Sequence, residues 1–438
     1  MRILFVTHRL PCPPDRGCKI RSAALLYGLA RRHDVWCAGF LDNANTPELR
    51  SETRQSIAAL RQMCRGLLAV PFSDRLAGSR ALGGLIAGGT ATESYFASRM
   101  LEQGLSAWSE EIRFDAVFAF SSGIAPLAWR VAAPRRVLCM DDLDSRKWQE
   151  LAANAHWPMS SIYRLEARRL AERERYWLAR FDATLMVSQR EADLVTEPQL
   201  RAKVHVIPPV LPGWPDCDDA AAVSFKPPVV GFLGAMDYPP NVDAACWLAR
   251  DIWPLVLDRH PDARLFIVGR SPVPAVRDLG SDESIVVTGT VPDVRRYLSA
   301  MRVHVAPLRV ARGVQIKVLT AMAAGRPCVV TSCVAEGLGA QNGRDLIVAD
   351  TAADIAAAVV RLLDNPQQAQ ALGQAGQRFV RQFDLDEVVG RIERLLAGGE
   401  AAAEAPPLAG ANRRETRVQK QPQREPALVG KESRGKYW

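Results

Sequence analysis

Residues 303–330, VHVAPLRVARGVQIKVLTAMAAGRPCVV, decide the fold. Residues 303–308 form a short apolar run that reads as a strand buried on both faces. A loop follows. Residues 314–324 then carry helical periodicity, closed by Gly325 with Pro327 beyond it. A second apolar run at 327–331 completes a strand–helix–strand unit. In such a unit the helix N-terminus lies at the carboxyl end of the first strand and offers its free amides to an anion. Arg312 stands just before this helix and Lys317 in its first turn, with Thr320 three residues on and sharing its face. A basic first turn opposes the helix dipole unless an anion sits there, which favours a binding role over an incidental one.

The same alternation extends outward in both directions. Apolar runs at 2–8, 34–40, 67–71, 115–120, 135–140 and 183–188 precede a break, and runs at 229–234, 264–269, 285–289, 303–308, 327–331 and 346–350 follow it. Helical patterns lie between them, so each half predicts a parallel sheet covered on both faces. The break at 208–228 is rich in Pro and Asp, a linker composition. The expected organisation is an α/β chain of two doubly wound, Rossmann-like domains, 1–208 and 229–383, joined by a linker at 209–228. Residues 351–397 read as helices. Residues 398–438 have few large apolar side chains and read as a disordered basic tail. Ligands of such sheets bind outside the carboxyl ends of the strands, so the cleft between the two domains is the expected site.

A chain of 438 residues exceeds one ordinary core, and 48% hydrophobic with 24% charged residues is a globular composition. The net charge of +8 is concentrated late: residues 413–438 carry eight Lys/Arg and three Glu. No clustered basic and aromatic footprint for nucleic acid is visible. The nine cysteines form no Cys-x-x-Cys pair, and with six histidines no zinc site is expected; buried reduced thiols are. No run approaches a membrane span, and MRILFVTHRLP reads as a first strand, not a signal peptide. The expected location is therefore the cytoplasm, free or at the inner membrane face. Residues 160–180, SSIYRLEARRLAERERYWLAR, predict a charged helix. A solvated helix laced with ion pairs is favoured there over one lying on a membrane surface, with Glu166 and Glu174 pairing with neighbouring arginines.

Three further stretches hold candidate site residues. After the first strand comes HRLPCPPDRGCKIRS, stiffened by Pro11, Pro13 and Pro14, where Gly17 permits close backbone approach. Asp15, Arg16, Lys19 and Arg21 are expected around the helix start that follows. The strand at 229–234 ends at Gly234, followed by Asp237 and Tyr238 as turn residues or ligand contacts, with Asn241 as an N-cap. Asp142 and Asp144 follow the strand at 135–140; Asp144 suits an N-cap and Asp142 a site role. No Gly-x-Gly-x-x-Gly fingerprint follows either leading strand, which argues against an NAD-dependent enzyme.

These residues resemble glycosyltransferase family 4, retaining enzymes of the GT-B fold, on KVLTAMAAGRPCVVTSCVAEGL and GRDLIVAD. More narrowly, HRLPCPPDRGCKIRS, DLDSRKW, IYRLEARRLAERER, VSQREADLV, GFLGAMDYPPNVDA and PLRVARGVQIKVL resemble the sugar transferases associated with exosortase/PEP-CTERM exopolysaccharide systems. The likeness spans residues 1 to about 395. It implies a UDP- or GDP-linked sugar donor as co-substrate, with no separate cofactor and no metal. It further implies donor contacts at Gly17, Gly234, Asp237, Gly289, Val291, Pro292, Gly313 and Thr320, and catalytic roles for Arg312, Lys317 and Asp142. The implied acceptor is a glycan or polyprenyl-linked molecule, with possible peripheral contact at the cytoplasmic membrane face and no nucleic acid. A C-terminal helix at 384–397 is expected to cross back to the first domain. The broad family carries Glu where Arg312 and Thr320 stand. Arg312 fits the subgroup, whereas Thr320 is a departure that weakens the ribose contact. The alternative reading is a catalytically weak GT-B protein that binds sugar nucleotide and serves as an assembly partner.

Overall fold

The computed structural model describes residues 1–14, 17–42, 47–211, 227–311 and 313–399. Most of the expected linker, nearly all of the expected tail, Asp15, Arg16, Cys217 and Arg312 lie outside the described residues. The first sheet contains β1 (Arg2–Thr7), β2 (Asp34–Leu41), β3 (Gly66–Pro71), β4 (Ala116–Phe120), β5 (Arg135–Asp141), β6 (Ala183–Met186) and β7 (Val204–Val206). Its order is β3-β2-β1-β4-β5-β6-β7. The second contains β8 (Val229–Leu233), β9 (Arg264–Val268), β10 (Ile285–Gly289), β11 (Val303–Ala306), β12 (Cys328–Val330) and β13 (Ile347–Val348). Its order is β10-β9-β8-β11-β12-β13. The pairings along both sheets are parallel.

Period-2 alternation explains why the strands are apolar throughout. In β1, Leu4 and Val6 enter one core with Ala38, Phe40, Val117 and Leu138. Ile3 and Phe5 enter the opposite core with Val35, Cys37, Phe118 and Val137. A strand that feeds two cores has no solvent face on which to place a polar residue. The edge strand β7 adds to the six expected in this half; its His205 interrupts an already short apolar run.

Strand order reverses in the same way in both sheets. The chain winds outward from β1 to β3, then returns to place β4 beside β1; likewise β11 returns beside β8. Each reversal leaves a crevice at the carboxyl ends of the two central strands. These crevices lie at β1/β4 and at β8/β11.

Helix Leu385–Leu396 packs on the first sheet's domain. Val388, Val389, Ile392, Leu395 and Leu396 share a core with Ile3, Phe5, Leu25 and Leu29. Arg32 pairs with Asp386 at 2.6 Å and Glu393 at 2.9 Å. Arg135 Nε donates to Leu395 O and Arg391 Nη2 to Val206 O.

Helix Met159–Arg180 departs from the solvated helix expected of it. Glu166, Ala167, Leu170, Glu174, Trp177 and Leu178 are buried along one face. Glu166 and Glu174 do not pair with neighbouring arginines. Glu166 accepts from the backbone N–H groups of Ala91 and Thr92 at 2.6 and 2.9 Å and from Thr92 Oγ1 at 2.7 Å. Glu174 accepts from the Ser145 N–H at 3.0 Å and from its hydroxyl. Both carboxylates therefore satisfy N-terminal amides of other helices, Ala91–Tyr95 and Asp144–Asn154, where a negative charge meets the positive end of the dipole. Burial still pushes Glu174 up to about 7, against the lowering effect of those hydrogen bonds.

Candidate active site

The crevice at β8/β11 is built from two loops and two helices. After β8 the chain turns at Gly234 and enters helix Pro239–Trp247. Tyr238 precedes that helix as its cap and Pro239 fills its first position, so Asn241 is not the N-cap the sequence suggested. Asn241 instead turns inward and is buried. Its Nδ2 donates to Ala235 O at 2.9 Å, and its Oδ1 accepts from Lys317 Nζ. Gly234 makes room for this bridge, since a Cβ there would lie 2.9 Å from Asn241 Cγ.

After β11 the loop is pinned on both sides. Thr331 Oγ1 and Cys333 Sγ both donate to Leu308 O. Arg309 reaches Asp243 on helix Pro239–Trp247, with its Nε 2.9 Å from Oδ2. Gly313 adopts φ +59°, and its carbonyl lies where a Cβ on Gly337 would come within 2.5 Å. Helix Ile316–Ala323 then begins, two residues later than expected. It ends in a Schellman motif: Gly325 at φ +68°, with Gly325 N donating to Met322 O and Arg326 N to Ala321 O.

Lys317 is half-buried in the first turn of this helix. Its ammonium lies 5.3 Å from the Phe232 ring centroid and is held by Asn241. Burial lowers its pKa to about 8. Beneath it, His304 on β11 is fully buried, and neither ring nitrogen has a hydrogen-bond partner among the described residues. Desolvation pushes His304 down to about 3, and the Lys317 charge adds to this, so the imidazole is neutral. A partly desolvated cation beside free helix amides is suited to a small anion of high charge. Thr320 is partly exposed one turn on, and its hydroxyl donates back to Ile316 O at 2.8 Å.

The remaining donor-side candidates are more dispersed. Asp237 and Tyr238 are exposed in the turn after β8. Gly289 ends β10 at φ +66°, followed by half-buried Val291 and exposed Pro292. An open surface depression runs along β10 past Arg277, Ser281 and Val287 to Gly289. It belongs to the sheet edge, whereas Lys317 lies at the central reversal of strand order.

The crevice at β1/β4 is charged and internally braced. Gly17 begins helix Gly17–Ala30. Lys19 and Arg21 lie in the first turns of this helix, and both are buried. Lys19 pairs with Asp42 at 2.8 Å and Arg21 with Asp141 at 2.9 Å. Arg9 also contacts Asp42, and its guanidinium lies 3.8 Å from the Phe72 ring centroid. Ser121, just after β4, and Asp141, ending β5, adopt φ +97° and +64°. Two non-glycine residues in that region at neighbouring strand ends mark strain of order 1–3 kcal/mol each, held by the surrounding network. His8 stacks on Phe120 and Nδ1 meets Phe120 O; burial lowers its pKa.

Asp144 is the first residue of helix Asp144–Asn154, not its cap, and accepts from Ser122 Oγ at 2.6 Å. Glu174 has taken the capping role at that helix. Asp142 is exposed, with the carboxylates of Asp141, Glu191 and Asp144 near enough to act on its charge. Desolvation, then Asp141, Glu191 and Asp144, raise it to about 6. Glu174, buried on Ser145 at the same helix start, is raised further, to about 7.

Residues 227–365, which contain the whole β8/β11 crevice, match the family described as Glycosyl transferases group 1. An uncharacterized 44.6 kDa protein in the cps region of Klebsiella pneumoniae is 24% identical over 127 residues, 27% of this chain and 33% of that protein. The match therefore spans about a third of that relative's length. Sucrose-phosphate synthase from Thermosynechococcus elongatus superposes with a TM-score of 0.59 at 15% identity, covering 91% of this chain and 98% of the other. HepE from Anabaena in complex with UDP gives 0.58 at 13% identity, covering 91% and 100%. At such identities the likeness is one of fold. The chain has the two-domain GT-B fold, with a glycosyl transferases group 1 domain that contains Gly234, Asn241, Lys317 and Thr320.

Proposed function

We propose that this protein is a retaining glycosyltransferase that moves a sugar from a nucleoside-diphosphate sugar to a glycan or lipid-linked acceptor. The observation that carries the reading is Lys317: a cation half-buried at a helix N-terminus, in the central crevice of the matched domain, fixed by Asn241. There it would neutralise charge growing on the departing diphosphate as the sugar C1–O bond breaks. The acceptor hydroxyl would bond to C1 on the same face and give its proton to the departing phosphate oxygen. Asp142, on the other crevice, would orient that hydroxyl. The donor enters as co-substrate, and no resident cofactor is part of this scheme. HepE holds UDP in its crystal, which favours a uridine donor over a guanosine one. The Klebsiella relative from a cps region, and the resemblance to exosortase-associated transferases, favour exopolysaccharide assembly as the setting.

The back-bonded Thr320 hydroxyl supports a second reading, a weakly catalytic sugar-nucleotide binder. A panel of UDP- and GDP-sugars, assayed for nucleotide release with and without a lipid and glycan extract, separates the two. Acceptor-dependent release of one nucleotide supports transfer. Tight binding with no release under either condition supports the binder.

A further inference from the structure

The carboxyl end of β9 carries a cation on a rigid backbone. Gly269 follows the strand with no room for a side chain, since a Cβ there would lie 1.6 Å from Gly234 O in the turn after β8. Met236 N–H donates to Arg270 O at 2.8 Å, and Val273 N–H donates back to Met236 O at 3.2 Å. The turns after β8 and β9 are thus laced together. Ser271 adopts φ +53°, a left-handed conformation that is costly for a residue with a Cβ. Arg277 Nη1 donates to Pro272 O at 3.0 Å and braces the far side of the turn. Arg270 itself is exposed, and its guanidinium makes no hydrogen bond or ion pair among the described residues. A strained, fixed backbone beneath an unengaged cation is preorganised for a ligand.

Its place along the sheet says which part of a ligand it meets. From Lys317 the strand ends run one way to β12 and the other way through β8 and β9 to β10. The β12 side is closed, because Thr331 Oγ1 and Cys333 Sγ bond to Leu308 O and Gly337 packs on Gly313 O. The β10 side is open, and the depression along that edge strand reaches Gly289. Neighbouring strands lie about 4.8 Å apart, so β11 and β10 end roughly 14 Å apart, comparable with an outstretched nucleoside diphosphate. With its diphosphate at Lys317, between the ends of β8 and β11, such a ligand brings its base over the end of β9, where Arg270 stands. Other cations at these strand ends do not compete. The turn after β8, GAMDYPP, has no Lys or Arg, and Arg295 beyond β10 pairs with Asp293 at 2.7 Å.

We propose that Arg270 binds the nucleobase of the donor, with its guanidinium lying flat against the ring. An arginine suits this place better than a lysine, because a guanidinium is planar, weakly hydrated and stacks on rings. The contact adds a base-reading residue on β9 to a crevice whose other cation, Lys317, meets phosphate. The inference rests on the reading of the β8/β11 crevice as a donor site.

The test is calorimetry of the full chain with UDP, GDP and inorganic pyrophosphate, which has the phosphates and no base. Arg270→Ala should lose about tenfold in affinity for whichever nucleotide the wild type binds more tightly, and should keep its pyrophosphate affinity. Lys317→Ala should lose both. Arg270→Lys should bind the nucleotide no better than Arg270→Ala, since it restores the charge without the flat surface. Unchanged pyrophosphate binding shows that the Arg270 variants are folded. Parallel losses of nucleotide and pyrophosphate in Arg270→Ala would overturn the proposal in favour of a phosphate contact. Full recovery in Arg270→Lys would overturn it in favour of charge alone. An Arg270→Ala protein that binds the nucleotide as the wild type does would overturn it as well, and leave the donor reading intact. A wild type that binds no nucleoside diphosphate would sink the donor reading and this proposal together.

Discussion

Lys317 concentrates the chemistry at the residue scale, and its protonation should be visible in binding. A diphosphate favours the ammonium, so the complex holds this proton more tightly than the free protein, whose Lys317 is lowered to about 8. UDP affinity should therefore be highest below pH 8 and fall as pH rises above it. Asn241→Asp would give the ammonium a carboxylate partner, raising its pKa. That variant should bind UDP more weakly, and its decline should move to higher pH. Calorimetric titration of UDP across pH 6.5–10 (roughly, a span set around the lysine range) would check both, and a decline unmoved by Asn241→Asp would contradict the contact. Thr320 gives the second prediction. With its hydroxyl turned back on Ile316 O, it is a poor ribose acceptor. Thr320→Glu should tighten nucleotide binding by about tenfold or more, the worth of a charged hydrogen bond. Weaker or unchanged binding would show that the ribose lies elsewhere.

Elements were legible from sequence to the extent that their cause was local. The strand–helix–strand stretch at 303–330 needed only hydrophobic period and a glycine stop, and it formed as read, with helix Ile316–Ala323 slightly shorter. The capping of helices was not legible. Asp144 and Asn241 look like caps because they sit near helix starts, but Glu174 serves the first helix and Lys317 engages Asn241 across 76 positions. A side chain chooses between a local amide and a distant partner by packing, which spacing cannot reveal. The same limit hid the roles of Glu166 and Glu174. Their sequence neighbours are arginines, yet their hydrogen bonds go to other helices. Glu166→Ala leaves three donors at Ala91 and Thr92 without their acceptor in a buried site. It should cost about 2–4 kcal/mol in urea unfolding, with Glu166→Gln milder. A loss below about 0.5 kcal/mol would mean that water replaces the carboxylate freely.

For the whole molecule, the sequence conveyed two parallel sheets because continuous apolar strands leave few other architectures. Apolar period alone does not say which sheet helix Leu385–Leu396 serves; the expectation that it crosses back to the first domain comes from the family resemblance. The helix follows the second sheet in the chain yet fills the core of the first, with Ile392 fully buried there. Ile392→Ala should therefore destabilise the first domain by about 2–5 kcal/mol and leave UDP affinity in the second domain little changed. Thermal melts of the variant with and without UDP would test this. The central claim is that the β8/β11 crevice binds a nucleoside diphosphate through Lys317, and calorimetry of UDP with the full chain and with Lys317→Ala tests it most directly. The account predicts saturable binding by the wild type and a loss of about ten- to a hundredfold in the variant, as for a charge-assisted hydrogen bond. Equal affinity in a well-folded Lys317→Ala protein would contradict it.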